Sequence, residues 1–121
     1  MKRVLIVDDS ATMRRMLGFS LRQGGMDVLE AQHGQDALEK LRLDAVDLII
    51  TDLNMPVMDG IGLIEAIRAE PALSATPILM LTTEGMAEKK DMGRAAGANG
   101  WIVKPFDHRK LLAAVTQLLP G

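Results

Sequence analysis

Leu48-Ile49-Ile50-Thr51-Asp52-Leu53-Asn54-Met55-Pro56-Val57-Met58-Asp59-Gly60 is the stretch that decides the fold. It begins as a short apolar run, the mark of a buried strand. The run stops at a carboxylate, Asp52, and Pro56 and Asp59-Gly60 then punctuate a loop. An acid at the carboxyl end of a buried strand belongs at the mouth of an α/β sheet, where such folds bind ligands. Alone, Asp52 reads more simply as an acid that opens a turn. Its neighbours along the chain change that balance.

Outward from this stretch, the same grammar recurs. Val4-Leu5-Ile6-Val7 is an apolar run ending at Asp8-Asp9-Ser10, with Ser10 as a helix N-cap and Met13, Met16, Leu17 and Leu21 at helical spacing behind it. Gly24-Gly25 stops that helix. Val28-Leu29-Glu30-Ala31 reads as a shorter strand, His33-Gly34 as a turn, and Ala37, Leu38 and Leu41 as the next helix. Beyond the opening stretch, Ile61, Ile64 and Ile67 mark a third helix that closes near Pro71. Ile78-Leu79-Met80-Leu81 is a fourth strand ending at Thr82-Thr83, and a helix with a weak apolar stripe follows from Met86 to Ala96. Trp101-Ile102-Val103 is the fifth strand, ending at Lys104-Pro105. Leu111, Leu112, Val115, Leu118 and Leu119 mark a last helix.

Five strands alternating with five helices predict an α/β fold: a doubly wound parallel sheet covered on both faces, with right-handed crossovers. In such a sheet every strand points its carboxyl end to one edge. Asp8, Asp9, Asp52, Thr82 and Lys104 are therefore expected to converge there.

Composition bounds the rest. The chain has 121 residues, 48% of them hydrophobic, enough for a single domain with a real core. A net charge of -2 points to no nucleic acid and no anionic membrane as partner. There is no Cys, which excludes disulfides and thiolate metal sites. Four apolar residues between Met1-Lys2-Arg3 and Asp8 are too few for a signal-peptide core, and no run approaches a membrane span, so a cytoplasmic protein is the expectation.

Three carboxylates in one pocket repel one another. Two unit charges ~4 Å apart repel by about 4 kcal/mol at an effective dielectric of 20. Either a pKa rises or a cation binds. Hard oxygen ligands on an open rim suit Mg²⁺, which keeps several waters and takes one or two carboxylates plus phosphate oxygens. A Lys adds a point charge for phosphate, and the Thr82 hydroxyl can bond a phosphate oxygen. Together these are the parts for phosphoryl transfer onto a carboxylate.

Four pieces in order, Val7-Asp8-Asp9-Ser10, Asp52 to Gly60, Leu81-Thr82-Thr83-Glu84 and Val103-Lys104-Pro105-Phe106, resemble the receiver domain of two-component response regulators. They are most like its stand-alone, CheY-like chemotaxis branch, and the resemblance spans the whole chain as one receiver domain, residues 1–121, without an output domain. It implies a flavodoxin-like sheet of strand order 2-1-3-4-5. It also implies that Asp52 accepts the phosphoryl group from a histidine kinase's phosphohistidine. Asp9, Asp52 and the backbone carbonyl of Asn54 would hold Mg²⁺, with Asp8 acting through a water. Lys104 would pair with a phosphoryl oxygen, Thr82 would swing to hydrogen-bond it, and Trp101 would be the switch aromatic that moves inward behind Thr82. Tyr or Phe is usual at that place, and the indole is larger. The resemblance further implies a cis Lys104-Pro105 bond and a partner-docking face made by the fourth helix, fifth strand and fifth helix.

On this reading the protein is a signalling switch rather than an enzyme, promoting only its own phosphorylation and dephosphorylation. Its output is binding to a target, the flagellar motor switch protein in chemotaxis. The rival within the class is a phosphorelay intermediate or phosphate sink that exchanges phosphoryl groups with a phosphotransfer protein. An Asp-nucleophile, Mg²⁺-dependent phosphatase of the haloacid-dehalogenase kind fits less well, because its two acids stand one residue apart after the first strand and here Asp8 and Asp9 are adjacent. A flavin or nucleotide binder would need a Ser/Thr-rich or Gly-rich phosphate loop, which the sequence lacks. Among the remaining residues, Met13, Met16 and Met80 read as core filling, and Met86 and Met92 as a contact face. Lys89, Lys90 and Arg94 read as a solvated face, and His33 and His108 as surface residues without a metal role.

Overall fold

A computed structural model describes residues 1–53, 58–83 and 87–119. The elements alternate as β1 (Arg3–Val7), α1 (Ala11–Gln23), β2 (Asp27–Ala31), α2 (Gly34–Leu43), β3 (Leu48–Asp52), α3 (Gly60–Ala69), β4 (Ile78–Thr83), α4 (Ala87–Ala96), β5 (Gly100–Lys104) and α5 (His108–Leu118). All four strand pairings are parallel and the sheet order is β2-β1-β3-β4-β5. This is the doubly wound α/β architecture expected, in the strand order that the resemblance implied.

Because successive strand residues point to opposite faces, each apolar run supplies two cores. Leu5, Val7, Ile49, Ile78 and Met80 face α2 and α3, where they meet Leu38, Leu41, Leu63, Ile64 and Ile67. Val4, Ile6, Leu48, Ile50, Leu79 and Leu81 face α1 and α5 and meet Leu17, Leu21, Leu111 and Val115. Only β5, at the sheet edge, alternates openly: Ile102 is buried while Trp101 and Val103 are exposed.

The helix starts are held by short polar side chains. Ser10 Oγ accepts from the Met13 N–H, Asp59 Oδ1 from the Gly62 N–H and Asp107 Oδ1 from the Lys110 N–H. His33, read as a turn and surface residue, is half-buried and serves as the N-cap of α2, its Nδ1 accepting from the Asp36 N–H at 3.2 Å. Met16 also departs from expectation. The buried stripe of α1 runs through Leu17, Gly18 and Leu21, and Met16 stands beside it, 54% exposed. Met13 and Met80 do pack into the cores. Met92 is exposed, and Met86 lies outside the described residues. Among the described residues no helix is long and apolar enough to cross a membrane.

Candidate functional site

The carboxyl ends of β1, β3, β4 and β5 meet at one edge, because register is continuous across the sheet. Val7 pairs with Thr51, Asp52 with Leu81, and Thr83 with Lys104. Residues 8, 52, 82 and 104 thus arrive at one mouth although 96 positions separate the first from the last. Asp8, Asp9 and Asp52 each offer a carboxylate oxygen, and those oxygens lie within 4.8 Å of one another. Asp9 is exposed, whereas Asp8 and Asp52 are buried.

Asp8 is the strained member. Only 1% of it reaches solvent. Its Oδ1 accepts from the Ser10 N–H at 2.9 Å, but its Oδ2 has no hydrogen-bond partner. Desolvation pushes its pKa above the ordinary carboxylate value. The Ser10 N–H opposes this, the Asp52 charge adds to it, Lys104 opposes it and Asp9 adds to it. Lys104 Nζ stands 3.7 Å from that orphan oxygen and 3.4 Å from Asp52 Oδ2. One ammonium thus faces two buried carboxylates, leaving an acidic cradle under-neutralised. The donor set is all oxygen, which fits Mg²⁺.

Thr82 is buried, and its Oγ1 donates to the Ile102 carbonyl at 3.4 Å, a long and therefore weak bond. The Lys104–Pro105 peptide is cis. The expected carbonyl ligand of Asn54 lies outside the described residues.

Sequence reasoning missed two contributors. Arg14 donates from Nη1 to the Asp8 carbonyl at 2.7 Å while its Nε lies 3.3 Å from Glu30 Oε1, tying the acidic loop to β2. Nothing local marks Arg14 apart from its neighbour Arg15; the contact exists only once α1 is laid against β2. Gly60 is the second: the sequence marks it as loop punctuation, not as the close-packing point of a helix start. A Cβ there would run into the Asp52 carbonyl oxygen and Leu53 Cα, so α3 can start against the end of β3 only with glycine.

A parallel sheet of this order with an acid triad, two of its members buried, and a lysine at its carboxyl edge defines a class. The chain belongs to the response regulator receiver domain family, whose match runs over residues 4–116. It is 47% identical over 106 residues to chemotaxis protein CheY1 of Helicobacter pylori, covering 86% of each chain. It is 43% identical over 119 residues to the chemotaxis protein CheY homolog of Campylobacter jejuni, covering 97% of this chain and 92% of the relative. The solved structure of the chemotaxis response regulator CheY4 of Vibrio cholerae superposes with a TM-score of 0.93 at 45% identity, over 98% of this chain and 99% of that one. The chain is thus a CheY-like response regulator of a two-component system.

Proposed function

We propose that this chain is a chemotaxis switch phosphorylated on Asp52 by a histidine kinase. The observation that carries the reading is the cradle itself: three carboxylates within 4.8 Å, two of them buried, faced by a lysine. A carboxylate oxygen of Asp52 bonds to phosphorus as the phosphorus–nitrogen bond of phosphohistidine breaks, and the electron pair returns to the imidazole. Asp9 and Asp52, with the Asn54 carbonyl, would hold Mg²⁺, and Asp8 would act through a water. When bound, the ion offsets the charge of the carboxylates and the phosphoryl oxygens.

Lys104 faces Asp52 and would pair with a phosphoryl oxygen there. The weak bond from Thr82 to Ile102 is easily exchanged for one to that anion. Movement of Thr82 toward the site would let Trp101 follow inward, since Met80↔Trp101 and Thr82↔Val103 pairing puts both side chains on one sheet face. The α4–β5–α5 surface then changes shape and binds its target, the flagellar motor switch protein. Driving such a switch from 1:99 to 99:1 takes a differential of about 5.5 kcal/mol.

The test is intact mass after incubation with acetyl phosphate, with and without Mg²⁺, acid-quenched, beside Asp52→Asn. One Mg²⁺-dependent adduct in the wild type and none in the variant is expected. An equal adduct in both would move the acceptor elsewhere. Retention of the flagellar motor switch protein by the phosphorylated form then tests the target, and retention of phosphotransfer proteins alone would overturn it.

A further inference from the structure

Trp101 is the chain's single tryptophan, and it stands half out of the molecule, 40% exposed on the edge strand β5. Its neighbour Ile102 faces the α1–α5 core, so Trp101 takes the opposite face, which α4 borders. There Lys90 Nζ lies 4.5 Å from the ring centroid and Arg94 Cζ 5.0 Å from it. Residues 90 and 94 are one helical turn apart and share a side of α4. Glu88 and Asp91 sit on the same helix, yet among the described residues neither cation is within ion-pair distance of a carboxylate. Both lie instead over the indole. A cation within about 6 Å of an aromatic centroid is attracted by the ring's negative face, most strongly for Trp.

We infer that Lys90 and Arg94 are positioning residues that hold Trp101 in its outward place, a cationic latch that sets the resting side of the switch. The inference rests on the proposed inward movement of Trp101. For the indole to move along the sheet toward Thr82, both cation contacts must break. Each contact biases the equilibrium toward the outward state by about two- to fivefold. Where the competent state is a minority, an anionic phosphoryl analogue binds with an apparent affinity reduced by that minority fraction. Removing the latch enlarges the fraction and tightens binding. Simple electrostatics predicts the opposite, because removing two positive charges weakens attraction for an anion. The sign of the effect therefore separates a latch from a general charge effect, and loss of fold stability would not tighten binding either.

The experiment titrates the full chain with beryllium fluoride in Mg²⁺, by calorimetry, for wild type, Lys90→Gln, Arg94→Gln and the double variant. Lys89→Gln is the control, since Lys89 makes no ring contact. Trp101 emission in EDTA is recorded in parallel. The half-saturating concentration is expected to fall about two- to fivefold in each single variant and about five- to twentyfold in the double, with Lys89→Gln unchanged. The double variant's unliganded emission is expected to shift to the blue as the indole spends more time inward. Uptake at equal or weaker affinity in the double variant overturns the latch alone. No uptake by the wild type overturns the phosphoryl reading, and the latch with it.

Discussion

Lys104 Nζ stands 3.7 Å from Asp8 Oδ2, the one buried side-chain oxygen among the described residues that has no hydrogen-bond partner. The ammonium is thus the nearest compensation for a charge that burial disfavours. Lys104→Ala is expected to lower stability in EDTA by about 1–3 kcal/mol, below the full penalty for a stripped buried pair because Lys104 keeps some solvent contact. Denaturant midpoints with and without Mg²⁺ check this, and the ion is expected to restore much of the loss. Phosphorylation should persist in part while the target no longer responds to it. Equal target binding by the activated variant would remove the coupling role assigned to Lys104.

Asp8→Asn is expected to act in the opposite sense on the ion-free protein. The raised pKa of Asp8 means that its ionised form is less favourable here than in water. A neutral isostere removes that penalty and the repulsion from Asp52 and Asp9, so melting in EDTA should rise by about 3–8 °C, corresponding to about 1–2 kcal/mol. Mg²⁺ affinity by calorimetry should fall about tenfold or more. Lower melting together with unchanged Mg²⁺ affinity would mean that Asp8 is structural.

Asp36 supplies the pH dependence that runs the other way. Burial pulls its carboxyl upward, but the Gln32 N–H, the charge and hydrogen bond of Lys40 and the neighbouring His33 together outweigh it and hold it below its ordinary value. An acid with a depressed folded pKa contributes stability above its unfolded value of about 3.9, and that stability is lost as pH falls through the folded value. Asp36→Asn should therefore lose about 1 kcal/mol at pH 7, and the gap to wild type should narrow progressively below about pH 4. A gap constant from pH 7 to pH 3, measured by urea unfolding, would assign the loss to packing instead.

Two glycines of α3 are expected to respond in opposite directions. A Cβ at Gly60 collides with main-chain atoms of Asp52 and Leu53, which have nowhere to go, so Gly60→Ala should cost about 1–3 kcal/mol. At Gly62 the nearest atoms are 3.4 Å away, an acceptable contact, and Ala is the better helix former by about 0.8–1 kcal/mol. Urea midpoints of the two variants should straddle that of the wild type. Because Gly60 abuts the Asp52 carbonyl, its variant should also slow phosphorylation from acetyl phosphate.

The parts of this fold that were legible in sequence are those whose cause is local. Runs of three or four mostly apolar residues named the strands to within a residue or two, since a strand covered by helices reveals itself without its partners. Ser10 announced its cap for the same reason. His33 and Asp107 did not, because capping by an imidazole or by an acid after Lys104-Pro105-Phe106 becomes visible only when the helix start is known. Met16 misled because helical spacing gives a stripe about a turn wide, and which edge of it is covered depends on where α1 lies on the sheet.

The site divides along the same line. Sequence alone determined that Asp8, Asp9, Asp52, Thr82 and Lys104 end strands, and that an α/β sheet sends strand ends to one edge. Tertiary structure decided the rest: that the three carboxylates stand within 4.8 Å, that Lys104 faces both Asp8 and Asp52, that Arg14 braces the Asp8 carbonyl, and that Trp101 lies under Lys90 and Arg94. Strand ends are local events set by where apolarity stops. Distances between them depend on parallel register and helix docking, which join residues tens of positions apart and leave no trace in any single stretch of chain.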